Sequence, residues 1–268
     1  MKASLIDLGN KELKKLELPN QFNEKVRSDL VKRAVESIQA GNRQPYGVKE
    51  GAGMRASADL SRRRKNYRGA YGHGISRVPR KILSRRGSQM FWVGAVAPGT
   101  VGGRRAHPPK AEKIWDKKIN KKENRKAIRS AIAASALKDL VSERGHILPE
   151  NYPLVIENKL EDLDKTKKVK DVLKKIGLTN ELERVKEKKI RSGKGKRRGR
   201  KYKQKKGPLI VVAKECSLMK SARNIPGITI SPVNVINAEL LAPGSKVGRL
   251  VVWTEGAIER LRKEKLFD

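Results

Sequence analysis

The stretch GPLIVVAKECSLMKSARNIPGITISPVNVINAELLAPGSKVGRLVVWTEGAIERL, residues 207–261, decides the fold. Leu209-Ile210-Val211-Val212-Ala213 is an unbroken apolar run rich in β-branched residues, as in a strand buried on both faces of a parallel sheet. Ile228-Thr229-Ile230 and Leu250-Val251-Val252-Trp253 read as further strands. Between them, Val233 to Leu241 reads as a helix ending before Pro243-Gly244, and Thr254 reads as the N-cap of a C-terminal helix over EGAIERLRKEKL. Short apolar strands alternating with helices predict an α/β fold with a parallel sheet covered on both faces.

The same alternation extends upstream. Pro153-Leu154-Val155-Ile156 is a short buried strand by composition. Asp164 is expected to cap a helix running to Ile176 and stopped by Gly177, and Thr179 to cap a second, short one. The segment KKENRKAIRSAIAASALKDLVSERG after Asn120 is a long helical pattern. Its inward face is Ala127, Ile128, Ala131, Ile132, Ser135 and Leu137, and Gly145 is its stop. Near the start, Leu5-Ile6-Asp7-Leu8 reads as a strand. Beyond Asn23, Val26, Leu30, Ala34 and Ile38 make one apolar helical face beside Val31 and Val35, ended at Gly41-Asn42.

Two segments break this pattern. Residues 43–110 hold sixteen Lys/Arg against Glu50 and Asp59, a net +14, with eleven Gly and no sustained period of 2 or 3.6. A loop this long is foreign to a compact domain, so it is expected to be disordered or ordered by a partner. Residues 186–206 form a second basic block, with thirteen Lys/Arg against Glu187 alone. The expected organisation is therefore a globular part over 1–42 and 111–268, an extended basic loop over 43–110, and a basic segment at 186–206 within the globular part.

The whole chain of 268 residues carries a formal charge of +36 with only 4% aromatics. Charge of this size argues for a polyanionic partner and against an ordinary metabolic enzyme. Nucleic acid is the obvious candidate, since phosphates attract Lys and Arg whatever the base sequence. Cys216 is the single cysteine, so an internal disulfide and a cysteine-based zinc site are both excluded. The longest apolar run, Phe91 to Val101, is too short for a membrane span. The opening MKASLIDLGNKELKK becomes charged too soon for a signal peptide, so an intracellular, soluble chain is expected.

Catalytic signatures are weak. Gly244-Ser245-Lys246 and Gly193-Lys194-Gly195 lack the spacing of a phosphate loop, and the Gly-x-Gly pairs at Gly51/Gly53 and Gly72/Gly74 do not follow a buried strand. His73, His107 and His146 are not paired at metal-ligand spacing, and His146 beside Gly145 reads as a loop residue. Glu157, Glu161, Asp162 and Asp164 cluster after a strand and suit loop and capping roles better than acid–base chemistry. No metal and no cofactor is expected.

The positive signal is cations interleaved with aromatics. Arg55, Arg62, Arg63, Arg64 and Lys65 precede Tyr67 and Arg68. Arg77, Arg80, Lys81, Arg85 and Arg86 follow Tyr46 and Tyr71, and Phe91 and Trp92 come before Arg104 and Arg105. Lys194, Lys196, Arg197, Arg198 and Arg200 repeat the chemistry in the second block. Arg forks onto phosphates and stacks on bases, and aromatic rings stack on unpaired bases. The candidate RNA contacts among them are Arg55, Arg62, Arg63, Arg64, Lys65, Tyr67, Arg68, Arg80, Lys81, Arg85, Arg86, Trp92, Arg104 and Arg105, with the five cations of the second block.

Several motifs resemble the large-subunit ribosomal protein L-four family in its archaeal/eukaryotic form. They are YGHGISRVPR (71–80), VGGRRAHPP (101–109), NRKAIRSAIAASA (124–136), IRSGKGKRRGRKYKQKKGPLIVV (190–212), ARNIPGI (222–228) and LLAPGSKVGRLVVWTEGAI (240–258). The resemblance implies a doubly wound α/β domain on the outside of the ribosome. It implies that 43–110 penetrates the large-subunit rRNA to the wall of the nascent-peptide tunnel. Residues 71–80 would be the tip, at a constriction shared with the L-twenty-two family. Gly72, Gly74, Ser76 and Arg77 match the tip motif, with His73 and Ile75 between them. The implied partners are large-subunit rRNA, neighbouring large-subunit proteins and the nascent polypeptide, with no membrane and no small-molecule substrate. The implied location is cytoplasmic, in the large subunit, with a role early in its assembly. The competing readings are an RNA-modifying α/β enzyme with a basic insertion, which would need a glycine-rich cofactor loop after a core strand, and a free regulator with a small defined nucleic-acid site.

Overall fold

A computed structural model describes residues 1–66 and 69–267. They divide into two units, one made of Met1–Asn42 with Asp116–Asp268 and the other of Arg43–Trp115.

In chain order, the first unit begins with strands β1 (Lys2–Ile6) and β2 (Glu12–Glu17) and helix α1 (Ser28–Gly41). The second unit contributes the hairpin β3 (Arg80–Arg86) and β4 (Gln89–Gly94). The first unit resumes with α2 (Lys121–Ala136), α3 (Lys138–Glu143), β5 (Leu154–Ile156), α4 (Thr166–Leu173) and α5 (Thr179–Lys186). A small hairpin of β6 (Lys188–Ile190) and β7 (Tyr202–Gln204) precedes β8 (Leu209–Val212) and α6 (Ser217–Ala222). The chain closes with β9 (Thr229–Pro232), α7 (Ala238–Leu241), β10 (Val251–Thr254) and α8 (Glu255–Lys263).

The first unit is built on a six-stranded sheet in the order β2-β1-β5-β10-β8-β9. Only the β1–β2 pair is antiparallel. Strand β10, last in sequence, fills the centre, pairing Trp253 with Val155 on one side and with Val211 on the other. Successive side chains point to opposite faces of the sheet, and both faces are buried. Leu5, Val155, Leu209, Val211, Val251 and Trp253 pack with α1, α2, α7 and α8. Ile6, Leu154, Ile156, Ile210, Val212 and Val252 pack with α4, α5 and α6. That is the two-faced parallel sheet the apolar runs require. Deleting the side chain of a fully buried residue such as Ile132 or Leu154 costs about 2–5 kcal/mol in a core of this kind.

The strand ends are tied by polar groups. Glu161 Oε1 accepts the backbone N–H of Ala213 at 2.9 Å and the hydroxyl of Thr254 at 2.7 Å, linking the ends of β8 and β10. The Thr254 hydroxyl oxygen also accepts from Ala257 N at 3.3 Å, which is the expected N-cap of α8. Arg249 is fully buried and donates to Gly207 O, Leu240 O and the Thr229 hydroxyl, at 3.0, 2.7 and 2.8 Å. Burial, with Arg144 nearby, lowers its pKa to about 10, so it is charged at neutral pH.

Several local expectations are corrected. The first strand is Lys2–Ile6; Asp7 turns the chain, its N–H donating to Lys11 O. The α1 helix starts at Ser28 and buries Val31, Ala34 and Val35, while Leu30 and Ile38 are only partly covered. Leu137 does not face inward but sits at the break between α2 and α3, 42% exposed. Neither expected cap of the central helices forms: Lys165, not Asp164, precedes α4, and Thr179 lies inside α5 with its hydroxyl donating to Lys174 O. The helix expected over 233–241 is broken, because Asn237 restarts it by accepting from Leu240 N at 2.8 Å. His146 lies in the loop between α3 and β5, as expected, but is buried there against Glu181, with Nδ1 2.7 Å from Oε1. Among the described residues no helix is long and apolar enough to cross a membrane.

Candidate nucleic-acid interface

The second unit holds seventeen Lys/Arg and three acids in residues 43–115. Its only buried apolar residues among those described are Ala70 and Ala95. Hydrophobic burial therefore contributes almost nothing to its order.

Backbone proximity organises it instead. The outgoing and returning arms run together near the root, where Val48 N donates to Pro109 O at 3.3 Å. Gly53 lies so close to the returning arm that a Cβ there would stand 2.5 Å from Arg104 N and Cα, and its φ is +77°. Only glycine fits both conditions. This approach brings Arg55, whose guanidinium donates to Glu50 O, into the same arm pair as Arg104 and Arg105.

Further out, β3 and β4 form an antiparallel hairpin that was not legible from periodicity. Arg80 pairs with Gly94, Lys81 with Val93 and Ile82 with Trp92; the register then slips, so that Ser84 faces Phe91 and Leu83 is bulged out. Arg80 and Lys81 thus open the hairpin, and Arg85 and Arg86 stand at its far end. The guanidinium of Arg80 lies 5.7 Å from the Trp92 ring centroid. Trp92 is partly covered, whereas Leu83, Phe91 and Val93 are exposed at 64%, 50% and 43%. Phe91 is therefore the hairpin aromatic most open to a stacking partner, a distinction its neighbour Trp92 hides in sequence.

Segment 59–61 lies beside this hairpin, with Asp59 bridging to Arg80 and Ser61 to Gly69. Arg62, Arg63, Arg64 and Lys65 follow on an exposed turn. Tyr67 and Arg68 lie outside the described residues. The tip residues Gly72, His73, Gly74, Ile75, Ser76 and Arg77 are all exposed. Arg77 donates to the Tyr71 hydroxyl at 3.3 Å, and Arg80 donates to Ser76 O.

In the first unit, the second basic block is the β6–β7 hairpin. Lys194, Lys196, Arg197 and Arg198 lie on its 3-10 turn and Arg200 beyond it, all exposed. Its root is anchored: Gln204 donates to Val185 O at 3.0 Å, and Arg184 donates to Lys206 O at 3.0 Å. Arg184 also forks onto Glu181, which is buried with His146. Burial works to raise the Glu181 carboxyl, but Arg184, His146 and the Ile147 N–H outweigh it and hold it below the ordinary value.

The cations divide by their partners. Several of those in the first unit pair with carboxylates, as in Lys14–Glu255, Arg129–Glu24 and Arg260–Glu264. No ion pair between described residues involves Arg62, Arg63, Arg64, Lys65, Arg85, Arg86, Arg104 or Arg105. These charges are uncompensated within the described residues and suited to phosphate. Of the carboxylates flagged in sequence, Glu161 ties strands and Glu157 pairs with Lys159 at 3.2 Å. No cluster of three or more metal-ligating side chains occurs among the described residues.

The model of a family described as "Ribosomal protein L4/L1 family" matches residues 16–264. A protein of Nanoarchaeum equitans named large ribosomal subunit protein uL4 is 52% identical over 268 residues, covering all of this chain and all of the relative. Proteins of the same name from Archaeoglobus fulgidus and Methanocaldococcus jannaschii are 45% and 44% identical, covering 97% and 98% of this chain and 98% and 99% of theirs.

Proposed function

This chain belongs to the ribosomal protein L4/L1 family, and from that premise we propose that it binds large-subunit rRNA through residues 43–115 and the 188–204 hairpin. It is a structural component of the large ribosomal subunit rather than an enzyme. The observation that carries the rRNA reading is a unit with seventeen cations, three acids and almost no core of its own. Counter-charge from RNA phosphates offsets the repulsion, and each Lys/Arg–phosphate contact releases condensed counterions.

Arg62 to Lys65, Arg85, Arg86, Arg104 and Arg105 are the phosphate contacts in this reading, with Phe91 and Trp92 offered to unpaired bases. Residues 72–77 form the tip at the wall of the nascent-peptide tunnel, next to a protein of the L-twenty-two family. That placement is supported by the family's tip motif in YGHGISRVPR and by the exposure of all six residues. The chain acts in the cytoplasm, where it helps early large-subunit rRNA to fold.

Co-sedimentation tests the assignment. The tagged chain is expected to travel with large subunits through a high-salt gradient, protected there because its charges are buried in RNA. Release into the top fractions, or migration with small subunits, would overturn it.

A further inference from the structure

The root of the second unit carries a cation–aromatic group that the reading above does not use. Tyr46 and Trp115 stack with ring centroids 5.4 Å apart and planes 21° from parallel. The guanidinium of Arg43 lies 3.8 Å from the Trp115 centroid and 5.1 Å from that of Tyr46, and the Lys113 ammonium lies 4.6 Å from Trp115. The two ends of the unit therefore meet through their rings. Tyr46 nevertheless remains 45% exposed.

These rings border a cleft of about 830 Å³ whose wall continues through Arg105, Lys110 and Lys113, with Glu112 its only carboxylate. Tyr46 borders this cleft and keeps nearly half of its surface exposed, so part of the residue remains open to a ligand. An aromatic wall beside three cations matches one chemistry: a planar base attached to a phosphate. A duplex hides its base faces within the stack, and a bare phosphate chain has no plane to offer.

We propose that this cleft holds a single unpaired ribonucleotide, its base stacked on Tyr46 and its phosphate held by Arg105, Lys110 and Lys113. The inference rests on the reading of residues 43–115 as rRNA-binding and adds a position at which single-stranded RNA is told from duplex.

The test uses the full-length chain and three labelled or competing polyanions: a single-stranded octaribonucleotide, an RNA duplex with the same number of phosphates, and inorganic polyphosphate of matched length. Tyr46→Leu is expected to weaken the single strand by about 5–150-fold, the range of losing one base stack. Duplex and polyphosphate binding should change less than twofold, and Tyr46→Phe, which keeps the ring, should retain the single strand. An equal loss for all three polyanions would show that Tyr46 only clasps the root, and would overturn the proposal. So would single-strand binding unaffected by Tyr46→Leu. Failure of the unsubstituted chain to bind any of the three at low salt would instead defeat the rRNA reading itself.

Discussion

Replacing residues 72–77 with six Gly/Ser residues separates the tip's role from that of the arms. The substitution removes one cation, Arg77, of the seventeen in the unit. At about 0.9 counterions per phosphate contact, a value for duplex DNA that serves as a guide for RNA, the slope of log K against log[salt] should fall by no more than about 0.9. Over a fourfold salt range that slope is worth only about 3.5-fold in relative affinity. Stability should move by no more than about 0.5 kcal/mol, since all six residues are exposed and none belongs to either core cluster. The side-chain bond lost is Arg77 to Tyr71, and both partners are at the surface. The hairpin register begins at Arg80 and is left intact. Denaturant melts and salt titrations of the free chain check these magnitudes. Subunits assembled with the variant should contain it in normal amount yet respond differently to an arrest peptide in the tunnel. Loss of the protein from subunits would show that the tip anchors the chain in RNA, and normal occupancy with unchanged stalling would refute the tunnel role.

Two further outcomes are expected. Glu181→Gln should cost about 3 kcal/mol, because it leaves Arg184 and His146 without their shared anion. The native Glu181 carboxyl titrates below its unfolded value, so its stabilisation is present above about pH 4.5 and is lost as pH falls through the folded value; urea melts from pH 7 to pH 3 should show a shallower acid limb in the variant. Gly53→Ala places a methyl group about 2.5 Å from Arg104 backbone atoms, so the arms must separate; rRNA affinity should fall while the melt of the sheet-bearing unit stays within about 0.5 kcal/mol, and an unchanged affinity would contradict the paired-arm arrangement.

The sheet was legible because its central strands are buried on both faces, which makes Leu209–Val212 and Val251–Trp253 continuous apolar words. Strand β2 was not, since ELKKLE sits at a sheet edge with mostly exposed side chains and mimics a charged loop. The β3–β4 hairpin was hidden for a different reason. Its bulge at Leu83 shifts the side-chain alternation by one, and both its faces remain partly exposed, so no period of 2 survives in RKILSRR. The burial of His146 in its loop was hidden because its partners, Glu181 and Arg184, lie 35 and 38 positions away. The candidate interface was legible as composition, since charge needs no geometry to be counted. Its architecture was not: the approach of Gly53 to Arg104 and the stack of Arg43, Tyr46 and Trp115 join residues that only the fold makes neighbours.

The central claim is that the unpaired cations of residues 43–115 hold the chain on RNA. It is tested most directly by changing Arg62, Arg63, Arg64, Lys65, Arg85 and Arg86 together to Gln and measuring the salt dependence of binding to large-subunit rRNA. All six are exposed and outside every ion pair between described residues, so the melt of the sheet-bearing unit should not shift. With six contacts removed, the slope of log K against log[salt] should become shallower by up to about 5. A slope that stays within about one unit of the unsubstituted chain would contradict the account and would move the RNA contacts elsewhere on the protein.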